Sequence, residues 1–194
     1  MLIVFVILIL GLLTPRLSGR LGIPVENLAK YVFYGAIILI FGIQAYWSWQ
    51  QYSLWKYAGP PASYLLPPHQ PISYFYLYAY MQFFNKFVIS CFASFIFLLA
   101  ANILNHRFHR RFFEKEEPYF GALSIFMLGQ PLWLFYLPVV LAGGLVVSAY
   151  KSYLTHKTYR FSLYYLWMGS AIVLFLAFIS LSYYGLIWFN EILK

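Results

Sequence analysis

Hydrophobic positions run together in this chain, in stretches bounded by charged, polar and proline residues. They occupy residues 2–13, 31–50, 87–104, 119–129, 132–150 and 162–188. Uncharged apolar runs approaching about 20 residues are read as membrane-crossing helices. A further stretch, residues 72–84 (ISYFYLYAYMQFF), lies between the Pro-rich segment 60–71 and the pair Asn85 and Lys86. Its Tyr74, Tyr76, Tyr78 and Tyr80 alternate, which no single helical face produces. It reads as an interfacial helix or as an extension of the next span, with the aromatic character of a membrane–water boundary.

Residues 119–150 are too long for one straight span, about 48 Å at 1.5 Å per residue against a hydrocarbon core of about 30 Å. Gly129, Gln130 and Pro131 interrupt them with a flexible residue, a polar one and a helix breaker. The expectation is a tight hairpin, its two helices packing antiparallel through Ala122, Ala142, Gly143 and Gly144. The first run is short, about 18 Å for residues 2–13, and Pro15 opposes an easy extension. A signal peptide is disfavoured because no basic segment precedes Leu2 and no A-x-A-like site follows Leu13. A short span in locally thinned bilayer, or a chain lacking part of an ancestral first half, remains.

Composition supports the same class. Hydrophobic residues make up 63% of the chain and charged residues 9%, where soluble domains have about 45–50% and about 25%. With aromatics at 23% and a mean hydropathy of +0.72, a water-soluble globule is excluded. The expected fold is a single all-α domain over residues 1–194, a polytopic membrane helix bundle of about six membrane segments plus one interfacial aromatic helix.

The net charge of +8 orients it. Ten of the 13 basic residues cluster as Arg16, Arg20 and Lys30; Arg107, Arg110, Arg111 and Lys115; and Lys151, Lys157 and Arg160. With the break at Pro131 these three clusters fall on one side, as the positive-inside rule requires. The expected location is the cytoplasmic (inner) membrane, with loops 14–30, 105–118 and 151–160 cytoplasmic and both termini outside. Anionic lipid, not nucleic acid, accounts for the basic excess.

Candidate chemistry is sparse. Cys91 is the single cysteine, so no intrachain disulfide or Cys-based zinc motif exists. The acids are Glu26, Glu114, Glu116, Glu117 and Glu191, with no Asp at all. The densest polar cluster, NHRFHRRFFEKEEPYFG at residues 105–121, has a plain reading. Its arginines anchor a helix end at headgroups, and its acids precede Pro118 at the next helix start, where they complement the dipole. His106 and His109 with Glu114 are a metal possibility lacking a clear third ligand class, so no metal or cofactor is expected. G-x-S-x-G, S-x-x-K and nucleotide-binding fingerprints are absent.

From Phe87 onward the chain has an apolar span, a basic turn, an acid, then G-A-L-S-I-F-M-L-G, a polar break and another apolar span. This order resembles the second half of the prepilin peptidases, membrane aspartyl proteases that trim type IV pilin-like leaders at the cytoplasmic face. In that family a G-x-G-D-x-K-L motif enters a short helix ending at a glycine about twelve residues after its Asp. Glu117 stands on the Asp position, twelve before Gly129, while Glu114, Lys115 and Glu116 replace Gly-x-Gly and Tyr119 replaces the Lys. The family's other Asp precedes an I-P-N-like helix start; here GIPVEN at residues 22–27 follows Leu17, and the nearest acid is Glu26.

The resemblance implies a degenerate member without catalytic aspartates. It would bind pilin-like helices or other membrane subunits within the lipid bilayer, with Glu117 and Glu26 as the only possible catalytic pair. Two alternatives stand beside it: an active leader endopeptidase using a Glu26/Glu117 dyad, and a small membrane transporter component. The dyad requires two carboxyls close enough to share a proton, and a Glu adds a methylene to a site whose tolerance is below about 1 Å. Substituted-cysteine labelling in a Cys91→Ser background checks the topology. Positions in 105–118 and 151–160 should label from the same side, and opposite sides would remove both the hairpin and the resemblance.

Overall fold

The computed structural model describes residues 2–108, 113–155 and 164–192, and among these the regular structure is entirely helical. The first helix, α1, runs Leu2–Leu21, about 30 Å long and a full span. It therefore continues through Pro15, contrary to the expectation of a short run ending near residue 13. Helix α1 lies against the core on both sides of the proline, with Leu8 and Thr14 fully buried before it and Ser18 8% exposed after it. The Thr14 hydroxyl donates to Leu10 O at 3.0 Å. Packing thus outweighs the bond and the steric room that a mid-helix proline removes, about 3 kcal/mol.

Residues 14–30 are accordingly not a loop. The turn is confined to residues 22–24, where Gly22 has φ 67°, its N–H donates to Ser18 O at 2.9 Å and the Ser18 hydroxyl donates to Ile23 O. Helix α2 then runs Val25–Tyr57, about 50 Å. A short 3-10 turn at Ala62–Leu65 leads to α3 (Ile72–Ala79), a π-helical turn (Tyr80–Phe84) and α4 (Asn85–Arg107). The aromatic stretch is thus an extension of the following span, continuous over Ile72–Arg107, and not a separate interfacial helix. Phe75 and Ala79, one turn apart, are its buried stripe, and Phe75 stacks edge-on with Tyr52 and Trp55 of α2. Tyr74, Tyr76 and Tyr80 occupy the rest of the circumference and are exposed. The alternation that no single face explains is a ring of tyrosines around one inward stripe.

Helix α5 (Glu117–Leu128) is only 12 residues, and every residue but Tyr119 is buried. It packs against α1, α2, α4, α6 (Leu132–Thr155) and α7 (Tyr164–Ile192). It is a core helix enclosed by longer ones, as expected for an apolar run of about 10–14 residues. Residues 129–131 do break the chain: Gly129 takes φ 70°, and its carbonyl accepts from Trp133 N–H at 3.2 Å as α6 begins. In apolar surroundings such turn groups must be satisfied by protein.

Among the described residues, four helices are long and apolar enough to cross a membrane: Ile3–Leu21, Val25–Tyr57, Ile72–Arg107 and Leu132–Leu154. Their outward faces carry large apolar side chains, Ile38 and Leu145 at 73% and 72% exposure, while Ser90, Ser94 and Ser124 are fully buried. Ser90 and Ser94 donate to carbonyls of their own helix, Lys86 O at 2.8 Å and Cys91 O at 2.7 Å. Apolar outside with satisfied small polar groups inside is the arrangement of a lipid-solvated bundle.

The close approach expected at Ala142 and Gly143 is absent. Ala142 is exposed, and a Cβ on Gly143 would meet nothing within 4 Å. Contact is tightest instead at Gly121, where a Cβ would lie 2.5 Å from Phe97 Cε1, and at Gly11, 2.8 Å from Met168 Sδ. Gly121 faces Phe97, whose ring is held by Trp167 at 5.3 Å and Phe113 at 6.4 Å between centroids. Gly121→Ala should therefore destabilise the bundle by about 1–3 kcal/mol through overpacking. Gly143→Ala should be neutral or stabilising by up to about 1 kcal/mol through helix propensity. Thermal unfolding in detergent reads the order, and the reverse order would contradict the placement of α5.

Candidate functional site

The described polar residues concentrate where α2 begins, α4 ends and α5 begins. Glu26 lies in the first turn of α2, where a carboxylate complements the helix dipole. Its Oε1 pairs with Lys30 Nζ at 2.7 Å, one turn on, and both side chains are about one-third exposed (34% and 32%). Lys30 Nζ also stands 5.3 Å from the centroid of the Tyr119 ring. One ammonium thus ties the start of α2 to the first turn of α5 by an ion pair and a cation–π contact.

Glu117 opens α5 and is 2% exposed. Its Oε2 accepts the backbone N–H of Glu114 at 2.9 Å, a side chain reaching back three residues as in a capping box. Glu116 O accepts from Tyr119 and Phe120 N–H at 3.1 and 3.4 Å. The preceding segment is tied to α4, since Asn105 Oδ1 accepts Phe113 N–H at 3.0 Å. The Phe113 ring is buried beside Phe97 and Trp167. The local sequence explains the pattern: Pro118 lacks an N–H and suits a first helical turn, and a buried carboxylate needs donors to offset its desolvation.

The structure therefore brings Glu26 and Glu117 to the same end of the bundle in different settings. Glu26 lines a cavity of about 370 Å³ with Asn102, Asn105, His106 and Lys115. Glu117 is buried within α5's first turn and is not among the lining residues. Leu17, the position matching the first acid of the resembled family, is a half-buried residue of α1. His106 is exposed on α4, and His109 lies outside the described residues, as do Arg110, Arg111, Lys157 and Arg160. Among the described residues no group of three His, Cys, Asp or Glu is placed to hold a metal ion.

Sequence reasoning missed Asn102 and Asn105. Their signal is the spacing of polar positions 102, 105 and 106 at the end of an apolar run, which places them on one helical face. It also missed an aromatic cleft of about 840 Å³ between α2 and α3, lined by Trp49, Tyr52, Phe75 and Tyr76 among others.

No family model, curated protein or solved structure matches this chain. Its chemistry rests on the geometry alone.

The two acids should differ in what their loss does to stability. Glu117→Ala strips a buried N–H of its acceptor and should lower stability by about 1–3 kcal/mol. Glu26→Ala removes only a solvent-screened i,i+4 pair, worth about 0.5 kcal/mol or less. Chemical unfolding in mild detergent distinguishes them, and equal losses would show that the two carboxylates share one environment.

Proposed function

We propose that this protein is a non-catalytic integral membrane protein of the cytoplasmic membrane, prepilin-peptidase-like in architecture, that binds pilin-like or other membrane helices. In this reading α1, α2, the continuous α3–α4 helix, α5, α6 and α7 are the six membrane segments, with α5 enclosed by the others. The end bearing Glu26, Arg107 and Lys115 faces the cytoplasm, where the basic residues belong by the positive-inside rule.

One observation carries the non-catalytic part: both candidate carboxylates have structural partners. Glu26 is matched by Lys30 at 2.7 Å, and Glu117, 2% exposed, holds the Glu114 N–H. A shared-proton dyad needs one carboxyl protonated beside one ionised. Here Glu26 faces the Lys30 ammonium and Glu117 the Glu114 N–H, and only Glu26 opens onto the cavity. Helix binding is supported by the outward faces, where Phe92, Ile96, Leu99 and Ile103 form an exposed stripe at helical spacing on α4. In lipid such faces associate by packing, without a hydrophobic driving force.

The active-peptidase alternative keeps one point in its favour. Lys30 contacts both Glu26 and Tyr119, so the two acid-bearing helix starts adjoin. Purified protein, Glu117→Gln and Glu26→Gln, reconstituted in lipid with a leader-bearing pilin-like peptide, decide between them. The expected result is no cleavage by any of the three, with energy transfer between labelled protein and peptide at dilute protein-to-lipid ratio. Cleavage by the wild type that either substitution abolishes without unfolding would replace this reading with the Glu dyad. Absence of both cleavage and energy transfer would refute helix binding.

A further inference from the structure

The end of α4 carries two adjoining cavities of opposite character. The first is the polar one of about 370 Å³ lined by Glu26, Asn102, Asn105, His106 and Lys115. The second, about 460 Å³, is lined by Asn102, Ile103, His106 and Arg107. Asn102 and His106 line both, so the two spaces adjoin across these side chains. The second is walled by Ile103 and by the hydrocarbon stems of its polar neighbours, as long cationic side chains present them.

Charge sets the chemistry of the polar end. Among the described residues, neither Lys115 nor Arg107 has an acidic partner, whereas Glu26 is already matched by Lys30 at 2.7 Å. Asn105 spends its Oδ1 on Phe113 N–H, which leaves its amide as a donor. Lys115, Asn102, Asn105 and His106 offer N–H groups at the polar cavity and Arg107 adds its guanidinium from the adjoining one, a set suited to phosphate oxygens. Glu26 lines the same cavity and carries its own counter-ion, Lys30.

Position sets the other half. Arg107 ends a helix long and apolar enough to cross a membrane, Ile72–Arg107. A cationic residue at such an end belongs at headgroup depth. From there the exposed stripe of Ile103, Leu99 and Ile96, at 57%, 63% and 52% exposure, leads toward the middle of the helix. A polar pocket opening onto an apolar stripe fits one amphipathic molecule better than a soluble anion.

We propose that this double cavity is a binding site for an anionic phospholipid, its phosphodiester held by Lys115 and Arg107 and one acyl chain lying along Ile103, Leu99 and Ile96. The site needs no peptidase chemistry, but its apolar half is the same α4 stripe that supports helix binding, so a lipid chain and a partner helix would compete for it. The full-length protein, purified in mild detergent and offered equal phosphatidylglycerol and phosphatidylcholine, is examined by native mass spectrometry. Phosphatidylglycerol should be retained in preference. Lys115→Gln and Arg107→Gln should each weaken its retention by about fivefold and together by about twenty-five-fold, from the worth of one surface cation near anionic lipid. Both side chains are exposed, so unfolding midpoints should not move.

Ile103→Trp, which fills the apolar groove, should reduce lipid retention while leaving both cations in place. Equal retention of the two lipids, or wild-type retention by the double variant, overturns the proposal. Displacement of the lipid by millimolar glycerol phosphate, with Ile103→Trp without effect, also overturns it and assigns the pocket to a soluble phosphate compound.

Discussion

A 12-residue helix buried on nearly all sides is the constraint from which the rest of the bundle follows. At about 18 Å, α5 reaches only partway through a hydrocarbon core of about 30 Å. In a bilayer its Gly129 end, opposite the polar residues at Glu117, would expose backbone groups where water is scarce, and such groups are tolerated only inside protein. Helices α1, α2, α4, α6 and α7 supply that enclosure. Because lipid tails are as apolar as the side chains, the enclosure depends on close packing. Gly121 is where it is tightest, with Phe97 held 2.5 Å from the place of a Cβ.

Polar groups inside the bundle serve the same enclosure. The carbonyl of Trp167 in α7 accepts from the Tyr136 hydroxyl at 2.7 Å and from the Ser124 hydroxyl at 3.3 Å. Three helices are thereby joined through one acceptor. At the polar end Lys30 joins α2 to α5 through Glu26 and the Tyr119 ring. Glu117 fixes the approach of the chain into α5 through the Glu114 N–H. Each acid that sequence reasoning singled out for chemistry is thus also a fastening of the short helix, and that double duty restrains what it can do as an acid or base.

The hairpin break was legible because glycine, glutamine and proline in succession cannot continue an apolar helix. The glycines that pack were not. Gly121 and Gly143 look alike in the sequence, each a small residue in an apolar run, and only the positions of Phe97 and Trp167 separate them. Pro15 misled for a related reason: local chemistry argues for a stop, while burial of Thr14 and Ser18 on either side carries the helix on to Leu21. The tyrosines of residues 72–84 gave no face because their organising feature is the Phe75 and Ala79 stripe, which becomes visible only when Trp55 is opposite.

By itself the sequence determined the solvent of this protein. With hydrophobic residues at 63% and charged residues at 9%, no arrangement of the chain covers itself with charge, so an apolar surface follows, and long uninterrupted apolar runs, not alternating ones, make the structure helical. It also determined that any carboxylate chemistry rests on glutamates, since the chain has no Asp. The tertiary structure decided which apolar runs face outward and which is enclosed: the shortness of α5 is visible in the sequence, but the helices that surround it are not. It decided, too, that Glu26 lines a cavity and Glu117 does not. Burial depends on neighbours distant in the chain, and a one-dimensional pattern carries no distance between them.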